Sequence, residues 1–416
     1  MSPPPGKIPS MKVLVADKFE SIGLEGLEGL GCEIQYEPDL KGDALGEAVR
    51  ESGAEILVVR STEVPESVME GSRLAVIIRA GAGYNTIDVA AASRLGIYVS
   101  NCPGKNSQAV AELAFGLMIA VDRHIAECAS DLHQGIWNKK AYSRAKGLYG
   151  RTLGLIGMGK IGQEMITRAK AFGMNVVAFS RWMTPDVAAA LGIGRATRPE
   201  EVASMSDFVS VHVSLNPETR GMLGKKFFDS MRQGGVFVNT SRAEVVDQNA
   251  LLEAVSAGRI GAGLDVFEGE PKGAEGAYDG PLKDNAKVVC THHIGASTDQ
   301  AQEAVALEVV RIVREYKQSG SVPNVVNVAK AEHATHVLVV RHADRVGVLA
   351  HVLGALKDEE ISVQEMENIV LGGAFAAIAQ MSLDKKPTEK ALNAIRANDN
   401  VFDASVFAIE RDKNED

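Results

Sequence analysis

The chain has 416 residues, too many for one compact core, and its 45% apolar fraction suits two or three globular domains of ~100–200 residues each. A net charge of -10 with no basic cluster argues against a nucleic-acid partner, and no apolar run is long enough to span a membrane. Cys32, Cys102, Cys128 and Cys290 are scattered without a C-x-x-C pair, which suits reduced cytosolic thiols rather than a disulfide framework.

Residues 1–10 carry Pro3, Pro4, Pro5 and Pro9 and no apolar stretch, so they are expected to form a flexible tail rather than a signal peptide. From Met11 onward apolar strand-like runs alternate with helical ones. Lys12–Ala16, Cys32–Tyr36, Ile56–Val59, Leu74–Ile78 and Ile97–Val99 read as buried strands, with helices such as Asp43–Glu51 and Ile87–Leu95 between them. Such alternation predicts a parallel sheet covered by helices on both faces. Ser107 to about Gln134 follows with apolar residues at helical spacing, and reads as one long connecting helix whose apolar face serves a core or a dimer seam.

The chain is organised around Leu153 to Gly162, where an apolar strand runs into Gly157-Met158-Gly159-Lys160-Ile161-Gly162 and then into a helix. Gly157 suits a sharp turn, Gly159 a close approach of a pyrophosphate, and Gly162 close packing of the helix on the strand. Free N–H groups at the start of the helix, including those of Lys160 and Ile161, then face the anion. With a second strand at Asn175–Phe179, the context is that of a dinucleotide fold. Further strands are expected at Phe208–Val213, Val236–Asn239, Gly261–Val266 and Lys287–Thr291. A long helix from Thr298 to about Tyr316 is expected to return to the first lobe. Residues 11–106 with 296–328 would form one discontinuous lobe, and 107–295 the nucleotide lobe. Ser319–Val328 reads as a linker, and 334–412 alternate strand, helix, strand, strand, helix, strand, the ferredoxin-like order. The predicted fold is α/β, with two doubly wound Rossmann-like lobes and a small C-terminal domain.

Three strand ends deliver polar residues to one sheet edge: Asn239-Thr240-Ser241-Arg242, Asp265-Val266-Phe267-Glu268-Gly269-Glu270-Pro271, and His292-His293-Ile294-Gly295. An open α/β sheet places its ligands there. Spacing alone leaves either histidine open. The order of the three stretches resembles the D-isomer-specific 2-hydroxyacid dehydrogenase family, over about Met11 to Val328, except that His292 stands in place of a proline. The resemblance selects His293 as the catalytic acid and base, Glu270 as its orienting carboxylate, and Arg242 as the fork that holds the substrate carboxylate. It implies NAD or NADP as cofactor, with His212, Ser241, Asp265 and Gly295 joining the glycine turn in the cofactor set. NAD-dependent members carry an acid after the second strand of the nucleotide fold. Here Ser180 and Arg181 stand there, so NADP is also accommodated.

Arg60, Ser61, Asn106 and the backbone of Gly81-Ala82-Gly83 fall where the phosphoglycerate dehydrogenase branch of the family binds its small phosphorylated 2-hydroxy acid. Lys139 and Lys140 are candidates for an extra phosphate contact. The last domain resembles an ACT module, which implies an amino-acid effector at His342, Asp344 and Ser362 and assembly as a homodimer or homotetramer. Serine-inhibited members carry asparagines where Asp344 and Ser362 stand. The competing enzyme expectation is a glyoxylate or hydroxypyruvate reductase. The competing non-enzyme expectation is a nicotinamide-sensing corepressor-like protein. No metal, nucleic acid or membrane is expected.

Overall fold

The computed structural model describes residues 10–271, 275–283, 285, 287–329 and 333–409. The expectations for residues 1–9 and for the end of the C-terminal domain beyond 409 lie outside the described residues. Contacts divide the chain into one unit up to residue 327 and a second from 328 onward.

The first unit holds two parallel sheets. Strands β1 (Lys12–Val15), β2 (Glu33–Tyr36), β3 (Ile56–Val59), β4 (Val76–Arg79) and β5 (Tyr98–Asn101) pair in the order 2-1-3-4-5. The Ile-Leu-Val-Val of β3 is buried at every position, as a central parallel strand requires. The second sheet contains β6 (Thr152–Ile156), β7 (Asn175–Phe179), β8 (Gly194–Arg195), β9 (Phe208–Val211), β10 (Gly235–Asn239), β11 (Ile260–Leu264) and β12 (Val288–Cys290). Their order is 12-11-10-9-6-7-8. The sequence reverses direction at β6, beside β9, which opens the crevice where such sheets take ligands.

The stretch from Ser107 is two helices, not one. Ser107–Arg123 is buried along its apolar face against the nucleotide sheet, and it stops where His124 adopts a left-handed backbone with φ 55°. Ile125–His133 then buries none of its residues, and Ile125, Leu132 and Trp137 stay exposed. Helical spacing continued across the break because periodicity does not register one left-handed residue.

The helix Asp299–Ser319, capped by Thr298 and ended by Gly320, returns to the first sheet, where Val305, Val309 and Val313 share a core with Val13 and Val15. Its Glu308 is almost buried and binds Arg311, Lys105 and Asn324, so its carboxyl is held at about 2 by the Arg311 hydrogen bonds, with burial opposing. The segment expected as a linker is fastened instead. Val326 N–H donates to the Val99 carbonyl at 2.8 Å, and the Asn327 side chain accepts from Val99 N–H at 2.8 Å. Hydrogen bonds across 228 residues leave no trace in local composition.

The second unit is an antiparallel sheet of β13 (His336–Ala343), β14 (Val363–Val370), β15 (Ala376–Leu383) and β16 (Val401–Ala408), in the order 14-15-13-16. The helices Val348–Lys357 and Glu389–Arg396 bury Val352, Leu356, Leu392 and Ile395 against Leu338, Val340, Ala379 and Met381.

Candidate active site

At the glycine turn the backbone, not a side chain, makes the site. Gly157 has φ 102° and its N–H donates to the Phe179 carbonyl at 2.9 Å, tying the turn to β7. A Cβ there would lie 2.5 Å from the His212 carbonyl oxygen, and one at Gly162 would lie 2.6 Å from that of Gly157. Only glycine fits either place. A Cβ at Gly159 would meet no atom of the chain within 4 Å, so the space above that residue is open to an approaching anion. The helix Lys160–Ala171 has no side-chain cap. Its first backbone bond runs from Gln163 N–H to the Gly159 carbonyl, so the N–H groups of Lys160, Ile161 and Gly162 precede the helical ladder. These groups and the helix dipole suit a pyrophosphate. Ser180 and the exposed Arg181 follow β7 directly, and Arg181 has no ion pair among the described residues.

His212, expected at the cofactor, turns its ring inward. Its Nε2 lies 2.9 Å from Ser210 Oγ, and burial lowers its pKa to about 3, so the ring is neutral. What it offers the glycine turn is its backbone carbonyl.

The three motif loops are held by their own polar residues. Asn239 Oδ1 accepts from the N–H and hydroxyl of Ser241, and Asn239 Nδ2 donates to the Arg242 carbonyl at 2.9 Å. Arg242 Nη1 donates to the Ser241 carbonyl at 2.7 Å, and its guanidinium lies against Gly83 of the first lobe, where a Cβ would collide with it. Burial lowers the Arg242 pKa, while the charges of Glu244 and Glu270 raise it.

Asp265, 1% exposed, accepts from Thr291 Oγ1 at 2.6 Å and from the N–H groups of Ile294 and Gly295 at 2.8 and 2.9 Å. Ser241, Asp265 and Gly295, expected at the cofactor, therefore use these polar groups to order the loops that carry Arg242 and His293. His293 sits at φ 53°, with Nδ1 2.8 Å from Glu270 Oε2, and the second carboxylate oxygen accepts from Phe267 N–H at 2.9 Å. Burial raises the Glu270 pKa, but the His293 hydrogen bond, the Phe267 N–H and the charges of His293 and Arg242 bring it below the ordinary value. An ionised carboxylate at Nδ1 requires the proton there, leaving Nε2 for a ligand. His292 is exposed and enters none of these bonds.

In the first lobe, a residue that sequence reasoning missed organises the loop after β3. Asp17, at the end of β1, accepts from the N–H groups of Arg60, Ser61 and Thr62 at 2.6, 3.1 and 3.0 Å, and from the Ser61 hydroxyl at 3.3 Å. The only sequence signal is an acid placed directly after a buried strand. Gly81 N–H donates to the Arg79 carbonyl at 2.8 Å, whereas the Ala82 and Gly83 N–H groups, also expected to hold a carboxylate, have no backbone acceptor among the described residues. Asn106 stands at the start of the helix Ser107–Arg123 without using its side chain as a cap. Lys139 and Lys140 lie in an exposed turn.

In the second unit the three effector candidates are not brought to one use. His342 is buried, with Nδ1 2.8 Å from the Ala343 carbonyl and Nε2 3.1 Å from Asn368 Oδ1. Asp344 and Ser362 are exposed, and Ser362 binds Asp384 and Gln364. The ring expected to grip an effector is occupied by Asn368, a residue that the spacing did not single out.

Residues 115–295 match the family model of the D-isomer specific 2-hydroxyacid dehydrogenase, NAD binding domain. D-3-phosphoglycerate dehydrogenase of Methanocaldococcus jannaschii is 38% identical over 320 residues, which are 76% of this chain and 59% of that protein. The chain thus spans under two thirds of that relative. The enzyme of the same name from Mycobacterium tuberculosis is 34% identical over 387 residues, 88% of this chain and 71% of that one. Glyoxylate reductase of Thermococcus litoralis is 36% identical over 326 residues, 76% of this chain and 96% of that one. Among solved structures, NAD+-bound 3-phosphoglycerate dehydrogenase from Entamoeba histolytica superposes with a TM-score of 0.63 at 25% identity, over 76% of this chain and 99% of the other. With relatives above 30% identity covered over most of their length, and a glycine turn that fits a dinucleotide, the chain belongs to the D-isomer specific 2-hydroxyacid dehydrogenase family and is an NAD-dependent oxidoreductase.

Proposed function

We propose that the protein is a D-3-phosphoglycerate dehydrogenase, interconverting 3-phosphoglycerate and 3-phosphohydroxypyruvate at the entry to L-serine synthesis in the cytosol. The observation that carries the reading is the approach of Arg242 to Gly83, which brings a carboxylate-binding arginine beside the first-lobe loops that hold Arg60 and Ser61. The bound nicotinamide supplies the hydride acceptor. Arg242 holds the substrate carboxylate through its fork, assisted by the Ala82 and Gly83 N–H groups. His293 Nε2 takes the C2 hydroxyl proton in the oxidative direction and returns it in the reductive one, while Glu270 fixes the ring and stabilises its charged form. Asp265 and Asn239 hold the loops so that these groups need no reorganisation. Arg60, Ser61 and Asn106 face the phosphate end.

The relationship to a glyoxylate reductase keeps that activity as the rival. Turnover measured with 3-phosphoglycerate, D-glycerate and glyoxylate, each with the matching NAD(H) and NADP(H) form, decides between them. A kcat/KM higher for glyoxylate than for the phosphorylated pair would overturn the proposal. The exposed Arg181, which forms no ion pair among the described residues, and the lack of an acid at Ser180 support acceptance of NADP beside NAD. We read the second unit as an ACT-like module that pairs subunits in a homodimer or homotetramer. Because His342 is engaged by Asn368, inhibition by L-serine is expected to be weak or absent.

A further inference from the structure

The two sheets of the first unit are joined by two crossings of the chain, and a buried acid that the mechanism has not used links them. Residues 102–106 lead from β5 to the helix Ser107–Arg123 on the nucleotide sheet. Residues 295–298 lead back from the His293 loop to the helix Asp299–Ser319 on the first sheet. Glu308 stands about 13 Å along that second helix from Asp299. Its side chain is only 5% exposed.

Donors from three segments converge on the Glu308 carboxylate. Arg311 Nε and Nη2 fork onto its two oxygens at 3.1 and 2.6 Å, Lys105 Nζ of the first crossing lies at 3.0 Å, and Asn324 Nδ2 at 2.8 Å. Asn324 also donates to the Asn101 carbonyl at 3.2 Å, and Cys102 Sγ lies 3.8 Å from the Val305 carbonyl of the same helix. On its other side the first crossing meets the glycine turn, where a Cβ at Gly104 would lie 3.1 Å from Lys160 Cγ. The second crossing is tied to the His293 loop. Asp265 holds the Ile294 and Gly295 N–H groups, and Gln302 Nε2 donates to the Ala296 carbonyl at 2.6 Å. A helix that only packed on its sheet would be served as well by an apolar side chain, because a buried ion pair is weak evidence for stability. A carboxylate with this set of donors instead imposes one geometry on the segments that supply them.

We propose that Glu308 is a positioning residue: through Lys105 it fixes the two crossings against each other, and so sets the approach of Arg242 to the Gly83 loop. Arg311 shares a helix with Glu308, and with Glu315 it supports that helix alone, whereas Lys105 reaches the carboxylate from the first crossing. A misplacement of about 1 Å far from the reacting atoms is enough to cost ~100-fold in rate. The inference goes beyond the proposed substrate and holds for whichever 2-hydroxy acid the site takes.

The test compares wild type with Lys105→Met, Lys105→Arg and Arg311→Gln in four measurements. These are kcat and KM on 3-phosphoglycerate with NAD and on glyoxylate with NADH, NADH affinity by fluorescence titration, melting temperature, and hydrogen exchange of the backbone at 102–107 and 295–298. Lys105→Met should lower kcat/KM ~10- to 100-fold, with kcat and KM both changed, and equally on each substrate that the wild type turns over. NADH affinity should stay within about threefold, because the glycine turn is intact. Exchange at both crossings should quicken ~10-fold while β3 and β10 are unchanged, and the melting temperature should move by no more than about 4 °C. Lys105→Arg keeps the ion pair and should restore turnover and exchange. Arg311→Gln should show the opposite pattern, a lower melting temperature with kcat within about threefold. Equal kinetic losses from Arg311→Gln and Lys105→Met would mean that Glu308 serves only its helix, and would overturn the inference. So would unchanged exchange at the crossings in Lys105→Met, or failure of Lys105→Arg to restore it. A loss confined to 3-phosphoglycerate would show that Lys105 binds the phosphate itself, which overturns the positioning role and leaves the proposed substrate standing.

Discussion

Two loops of the first unit are built by the same device and end in opposite electrostatic states. In each, an aspartate at the end of a buried strand gathers the backbone N–H groups of a distant loop: Asp17 for residues 60–62, Asp265 for residues 294 and 295. The Asp265 loop presents His293 to its own carboxylate, Glu270, so its charge is internally paired. The Asp17 loop presents Arg60 beside Arg79 and Arg242 with no ion-paired carboxylate among the described residues. A paired site is suited to moving a proton, because either protonation state has a partner. An unpaired one is suited to receiving a charge. On the proposed reading of the site, the balance of local charge separates an edge suited to proton transfer from one suited to recognising an anion.

The comparison breaks most visibly at its catalytic end. His293→Ala should reduce turnover ~10²- to 10⁴-fold while binding of NADH, followed by fluorescence titration, stays near wild type, since the glycine turn is untouched. His292→Ala should change turnover little; the reverse pattern would exchange the two roles.

Removing the aspartates tests whether the two clamps are equivalent. Asp17→Ala leaves several N–H groups without their acceptor and should cost roughly 1–3 kcal/mol in urea unfolding. Its kinetic loss should appear in the KM for 3-phosphoglycerate. Asp265→Ala, at the more deeply buried of the two, should instead appear in kcat. Identical kinetic signatures from both variants would erase the distinction.

Protonation separates paired charge from unpaired charge. Glu270 and Glu308 both have carboxyl groups held below the ordinary value, Glu308 at about 2. A depressed folded pKa contributes stability above the unfolded value of ~4.3, and that contribution is lost as pH falls through the folded one. Urea midpoints should therefore fall between about pH 4.5 and pH 2, and Glu308→Gln should flatten that slope. An unchanged slope would show that the Arg311, Lys105 and Asn324 contacts carry no net charge stabilisation.

The smallest expected effect lies at the cofactor. Arg181→Ala should weaken NADPH by several-fold and NADH hardly at all, measured by KM for each; equal effects would place Arg181 in solvent.

The local pattern of residues was enough for the strand and helix alternation, the glycine turn, and the chemical types at the strand ends. Buried parallel strands are apolar throughout, and a turn against a carbonyl admits only glycine, so these demands are written in adjacent residues. The choice of His293 over His292 came from the family resemblance, and the Glu270 contact supports it. Other features depended on groups far apart in the chain. Asp17 reaches residues more than 40 positions away, and Asn368 on β14 reaches His342 on β13 across the intervening strand β15. The break at His124, the fastening of Val326 and the seat of Arg79 on Gly81 likewise follow from how elements pack. A hydrogen-bond acceptor has no periodicity and its partner has no required spacing, so only the tertiary structure decides which polar side chain serves the loop and which is left to meet the substrate.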